Sequence, residues 1–344
     1  MPVLDARKDF ILNAVVEDYI KNAEPVGSQR IIDDYGLKVS SATVRNELSL
    51  LEKTEYLSQP HTSAGRVPTD KGYRYYVDAL FEKKESLVFF EEKFINQIFS
   101  TLSKELETFV REVSAVLSKL TNYTAFVCVP HPKGNYLKHL DLVLIRPQAV
   151  LMVLITSIGY ISKKVISFDY KISQASLRNL EILLNEKFVN LEATKIMEFS
   201  QNLIEFPSDI RDMAGKTMTQ IINCLGGKEH KIFLEGVSNI LQQSEFRDSE
   251  KVRMILEILE QGDIIANLSD DATEPGFASV KIGHENDREE VNECSIVFAS
   301  YGTKEKSLGT LGVLGPTRLD YLRTIRTVGG VANNLGCFLE TLYE

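Results

Sequence analysis

Apolar residues recur at helical spacing in three short stretches near the N-terminus. Ile11, Leu12, Val15 and Tyr19 share one face of a helix expected from about Ala6 to Asn22. Glu24-Pro25-Val26-Gly27 interrupts that pattern, because proline cannot continue the hydrogen-bond ladder and glycine turns freely. Ser28 is expected to cap a short second helix, Gln29 to Asp34, which closes at Tyr35-Gly36. Ser40 opens a third helix, from Ser41 to about Glu55, whose Val44, Leu48 and Leu51 fall on one side and point inward.

The opposite side of the third helix carries Ala42, Asn46, Ser49 and Lys53, with Thr43 and Arg45 flanking it. It is small, polar and rich in donors, and it holds no acid. Such a surface fits a DNA major groove, where arginine pairs with guanine and asparagine with adenine. A solvated helix face has the same look, so the neighbourhood decides. Tyr56 to Gln59 and Arg66-Val67-Pro68 read as two short strands around the loop Pro60 to Gly65, which is a hairpin wing. His61, Thr62, Ser63 and Arg66 on that wing are candidates for phosphate or minor-groove contacts. Thr69 is expected to cap a fourth helix that packs Tyr73, Tyr76 and Val77 back on the domain, leaving Lys71 and Arg74 as candidate backbone contacts. The whole reads as a winged helix-turn-helix over 1–87.

Beyond the charged connector Glu82 to Leu87, Phe89 to Leu120 reads as a long helical region, with Phe94, Ile98, Leu102, Leu106 and Phe109 in phase. Strands are expected at Thr124–Val129, Leu140–Ile145, Val150–Ile155 and Tyr160–Phe168. The turns between the last three imply an antiparallel meander. Helices are expected near Gln174–Lys187 and Asp209–Cys224. The final stretch alternates again at Ala278–Ile282, Cys294–Tyr301 and Ser307–Leu314, and ends in an amphipathic helix from Arg318 to Leu342. Strand, glycine-rich strand and terminal helix resemble the closing half of a GAF-like α/β fold. The run Gly309 to Gly315 is not a phosphate loop, since no Gly-Lys-Ser/Thr follows and glycine alternates with apolar residues as in a strand.

Length and composition narrow the class. At 344 residues, 44% hydrophobic and 25% charged, the chain is an ordinary globular one of two or three domains. No apolar run approaches 18 residues and the N-terminus lacks a signal-like stretch, so a cytoplasmic, nucleoid-associated protein is expected. Cys128, Cys224, Cys294 and Cys337 are scattered without a CxxC pair, which points to reduced thiols. The net charge of −9 excludes a DNA-coating protein, and residues 1–81 hold ten basic against twelve acidic side chains. Affinity for DNA must therefore come from specific contacts and from dimerisation. The five histidines are dispersed, and neither HExxH, GxSxG nor a Walker lysine is present, so no enzyme, cofactor or metal site is expected.

The motifs resemble those of the heat-inducible transcription repressor family HrcA. They are Arg7 to Tyr19, Glu24 to Ser28, Ser40 to Leu48, Ser63 to Thr69 with Gly72 to Asp78, Leu234-Glu235-Gly236, Ser307 to Arg318, and Asp320-Tyr321. The resemblance implies an α+β multidomain protein. Its GAF-like domain, 88–135 and 228–344, would be interrupted by an inserted dimerisation domain at 136–227. It also implies a homodimeric repressor of chaperone operons on an inverted-repeat operator in double-stranded DNA, with a GroEL-type chaperonin as a further partner. The alternative is a metabolite-sensing winged-helix regulator with its ligand in the GAF-like domain, near Tyr301, Thr303 and Arg318.

Overall fold

The computed structural model describes residues 4–61, 64–82, 106–129, 136–157, 161–200, 206–226, 231–246, 249–261, 268, 274–302 and 307–343. The N-terminal head consists of α1 (Ala6–Asn22), α2 (Ser28–Tyr35), α3 (Ser41–Lys53), the strands β1 (Leu57–Ser58) and β2 (Val67–Pro68), and α4 (Asp70–Glu82). Asp5 caps α1, and Ser40 caps α3 by accepting from the Thr43 amide at 3.2 Å. Ser28 does not cap α2 as the sequence pattern implies. Gly27 occupies that position, and Ser28 lies in the first turn with its Oγ bonded to Ser41 Oγ at 2.8 Å. The hydroxyl serves the contact between α2 and α3.

Two of the motifs meet in the wing. Val26 and Arg66 exchange both backbone hydrogen bonds at 2.9 Å, so the break after α1 is tied by a single β-bridge to the residue that leads into β2. Gly65 is needed for this approach: a Cβ there would sit 2.4 Å from the Val26 carbonyl carbon. Thr69 caps α4 by accepting from the Gly72 amide at 3.2 Å.

The body is built on a five-stranded antiparallel sheet in the order β7-β3-β10-β9-β8, with β3 at Thr124–Val129, β7 at Lys231–Glu235, β8 at Ala278–Ile282, β9 at Cys294–Gly302 and β10 at Ser307–Pro316. Every residue of β9 but the last is buried, as expected for a strand covered on both faces. One face packs on α5 (Leu106–Thr121) and the C-terminal α11 (Tyr321–Tyr343), where Phe109 and Phe338 stack at 4.1 Å. The other carries Ile240, Phe246, Val252, Ile255 and Leu259, from α9 (Val237–Leu241), the turn that follows it and α10 (Ser249–Gln261). Phe94, Ile98 and Leu102 of the expected long helix lie outside the described residues, as do the wing residues Thr62 and Ser63.

Between β3 and β7 the chain forms a second unit with a core of its own. Its sheet is the meander β4 (Leu137–Arg146), β5 (Ala149–Thr156) and β6 (Ile161–Ser167). Leu140, Leu142, Val150, Met152, Leu154 and Ile166 pack against α6 (Gln174–Phe188), α7 (Ala193–Ser200) and α8 (Arg211–Leu225). The edge of β4 is closed by α6. Asn185 bonds both the amide and the carbonyl of Leu140, and Glu181 accepts from the Leu142 amide at 2.8 Å. Among the described residues the outer face of the sheet has no such cover. Val143, Ile145, Ile161 and Val165 are 50%, 50%, 47% and 61% exposed there, with Leu151, Val153 and Ile155 half-buried among them.

The head is continuous with the body. A single apolar cluster runs from Ile11, Leu48 and Val77 to Val297, Tyr321 and Ile325.

Candidate nucleic-acid interface

Helix α3 buries Val44, Leu48 and Leu51, each worth about 1.5–3 kcal/mol in apolar transfer. Ala42, Arg45, Asn46 and Lys53 are exposed on the other side, and Thr43 and Ser49 are half-buried at its margins. The two acids of the helix are both held by cations from other elements. Glu47 faces Arg7 at 3.5 Å and Lys8 at 3.8 Å, and Glu52 pairs with Arg66 at 2.8 Å. The outer face is thereby cleared of free carboxylate. Arg45 is anchored at its root, since Nε donates to Ser28 Oγ at 3.3 Å. Asn46 has no hydrogen-bond partner among the described residues.

The wing and α4 depart from the sequence reading at two arginines. Arg66 was expected to meet phosphate, but its side chain is only 15% exposed and is closed on Glu52. The close approach of its backbone to Val26 turns it inward, so it braces the wing on α3. Arg74 was expected to contact the DNA backbone. Instead Nε donates to Glu285 Oε1 at 2.7 Å, Nη2 bonds the other carboxylate oxygen, and Nη2 also reaches the Val280 carbonyl at 2.7 Å. Burial works against its charge, and the Glu285 carboxylate more than offsets this, so its pKa lies above the ordinary value. Lys71 is exposed but held: Nζ donates to the Thr54 carbonyl at 2.8 Å and lies over the Tyr56 ring. That bond stops α3 with a cation where the helix dipole favours one. His61 is exposed at the loop.

On the far side of α4, Tyr73 meets Tyr321 with ring centroids 5.8 Å apart. The Tyr73 hydroxyl is buried without a partner among the described residues, and burial drives its pKa well above the usual phenol value. Removing such a hydroxyl relieves a desolvation cost. Tyr73→Phe is expected to leave stability unchanged or raise it by up to about 1 kcal/mol in calorimetry. A loss larger than about 1 kcal/mol would show instead that the hydroxyl is satisfied in solution.

The residues considered for a ligand in the body are committed elsewhere. Tyr301 donates to the Cys128 carbonyl at 2.8 Å, and Arg318 grips Glu245 and Gln243. Thr303 lies outside the described residues. Burial pushes the Cys128 and Cys294 thiols up to about 12, which keeps both protonated and inert. Among the described residues no helix is long and apolar enough to cross a membrane, and no group of three His, Cys, Asp or Glu could hold a metal.

The architecture is that of a mixed α/β protein of several units, and it is shared end to end by a crystal structure known only as that of a hypothetical protein. The two superpose with a TM-score of 0.67 at 22% identity, over 98% of this chain and 99% of the other. Residues 107–325 match the family model for the HrcA protein C-terminal domain. The heat-inducible transcription repressor HrcA of Desulforamulus reducens is 38% identical over 99% of both chains. That of Carboxydothermus hydrogenoformans is 39% identical over 95% of both. The chain belongs to the HrcA family.

Proposed function

We propose that the protein is a heat-inducible transcription repressor whose residues 1–87 form a winged helix-turn-helix that reads an inverted-repeat operator. The observation that carries this reading is the polarity of α3: aliphatic residues sealed inside, and Ala42, Arg45, Asn46 and Lys53 outside with the helix's own acids neutralised. The contact set is Ala42, Thr43, Arg45, Asn46, Ser49 and Lys53 for the major groove, with His61, Thr62, Ser63 and Lys71 beside the backbone. Arg66 and Arg74 support the reader from behind. The names of the relatives support a repressor in place of an enzyme.

The body, 88–135 with 228–344, fits a GAF-like domain, and 136–227 fits an inserted dimerisation domain. A second copy of this chain suits the open face of the meander. The face carries the apolar row Val143, Leu151 and Val165 beside the row Asp141, Val153 and Lys163, whose opposite charges a two-fold mate could pair, and α6 blocks growth at the β4 edge. Two-fold symmetry of such a dimer calls for a palindromic site. A GroEL-type chaperonin as partner rests on the family resemblance alone.

Selection of genomic fragments by the full-length protein is the test. The expected product is one inverted repeat shared by the bound fragments. Recovery of fragments with no common repeat would overturn the reading.

A further inference from the structure

The same helix that follows the wing also clasps the body, and the clasp is made by polar groups more than two hundred residues apart in sequence. Asp70, in the first turn of α4, accepts from the His284 amide at 2.9 Å and contacts His284 Nδ1 at 2.7 Å. One turn on, Arg74 forks onto Glu285 and bonds the Val280 carbonyl in the middle of β8. Tyr73 lies between them against Tyr321, whose hydroxyl bonds Ser295 Oγ at 2.8 Å and the Thr317 carbonyl at 2.5 Å. The turn Gly283–Glu285 is shaped for this contact. Gly283 holds φ at +52°, and a Cβ there would lie 2.2 Å from Asp70 Oδ2. Arg74 and Tyr73 belong to one terminal motif, and Tyr321 to the other. The two motifs face each other across the joint.

A bidentate arginine and a carboxylate on a backbone amide fix direction as well as distance. A merely apolar contact would let the head slide. The joint also leaves the outer face of α3 uncovered, so it does not mask the reading surface.

We infer that Asp70, Arg74, His284 and Glu285 are positioning residues for operator recognition, which fix the orientation of each reading head on the dimeric body so that both heads meet their half-sites in register. This rests on the repressor reading above. A half-site engages one head and needs no such alignment. A full palindrome gains its extra affinity only if the second head is already placed.

The test is a double-mutant cycle in the full-length protein with Arg74→Ala, Glu285→Ala and both together. Each is titrated against the selected inverted repeat and against the same duplex with one arm scrambled. Each single variant is expected to lose about tenfold or more on the full repeat and less than about twofold on the half-site. The double variant should lose no more than either single one, because one interaction is being removed twice. The slope of log affinity against log salt should not change, since no phosphate contact is lost. A fall on both duplexes with a shallower slope for Arg74→Ala, and no effect of Glu285→Ala, would overturn the inference and make Arg74 a phosphate contact. Undiminished or increased full-site affinity in the single variants would overturn it as well.

A DNA-free readout separates this from failure of the repressor reading. Exchange of the His284 amide is expected to accelerate at least tenfold in Asp70→Asn and in Arg74→Ala relative to the parent. Unchanged exchange overturns the joint even if operator binding stands, and faster exchange upholds it even if no repeat is selected.

Discussion

Asn46→Ala and Arg45→Ala are each expected to abolish discrimination between the operator and unrelated DNA while leaving the fold intact. A good base contact contributes about 1–3 kcal/mol of discrimination. Because a dimer presents each residue twice, the loss doubles to about 2–6 kcal/mol, or roughly thirtyfold to twenty-thousandfold in affinity. Asn46 is exposed and bonded to nothing among the described residues, so its melting temperature should match the parent. Arg45 loses one bond to Ser28, about 1 kcal/mol at most, and a shift of a few degrees is the ceiling. Anisotropy titrations at matched salt, with operator and scrambled duplexes side by side, provide the measurement. Equal weakening on both duplexes would reduce the two residues to phosphate contacts.

The second large effect is expected at the open sheet of the inserted unit. Val165 is 61% exposed in the single chain, so Val165→Asp costs the isolated fold little. In a face-to-face pair of sheets the same carboxylate would be buried twice beside apolar neighbours, at several kcal/mol. Sedimentation should then report a monomer with an unchanged thermal transition. Operator affinity should fall by about a hundredfold to ten-thousandfold as the gain from paired heads disappears. A variant that sediments as a dimer would move the interface to another surface of the chain.

How much of this could be read beforehand follows the range of the interactions involved. Helix boundaries in the head came through within a residue or two, because they depend on local caps and on spacing that repeats every turn. The meander was legible for the same reason: its turns and alternation are contiguous. The strand Lys231–Glu235 was not, since its partner among the described residues is β3, across the whole insertion. Helices Ala193–Ser200 and Ser249–Gln261 also escaped notice. Each is short or charged, and earns its place by packing on elements that the sequence does not put beside it.

The polar face of α3 was visible as a pattern, and its buried and exposed sides agree with that pattern. The ion pairs of Arg66 and Arg74 were not legible, for one physical reason. A cation after a glycine loop looks the same whether its counter-charge is a phosphate or a carboxylate brought in by the fold. Glu285 stands 211 residues from Arg74, and no local rule links them. Ser28 failed differently: a serine that opens a helix is statistically a cap, and here its hydroxyl was claimed by a neighbouring helix.

The pairing of Val129 with Lys231 has a kinetic meaning. Were the chain between them unstructured, bringing these ends together would cost about 4 kcal/mol of loop entropy before any ladder bond formed. The intervening unit has its own core, and the strands that flank it in sequence, β3 and β7, are neighbours in the sheet. Once that unit has folded, the length of chain left to close between β3 and β7 is much shorter. The body's nucleus then closes as an ordinary hairpin would, and order of assembly, from the inside of the sequence outward, is written into the topology.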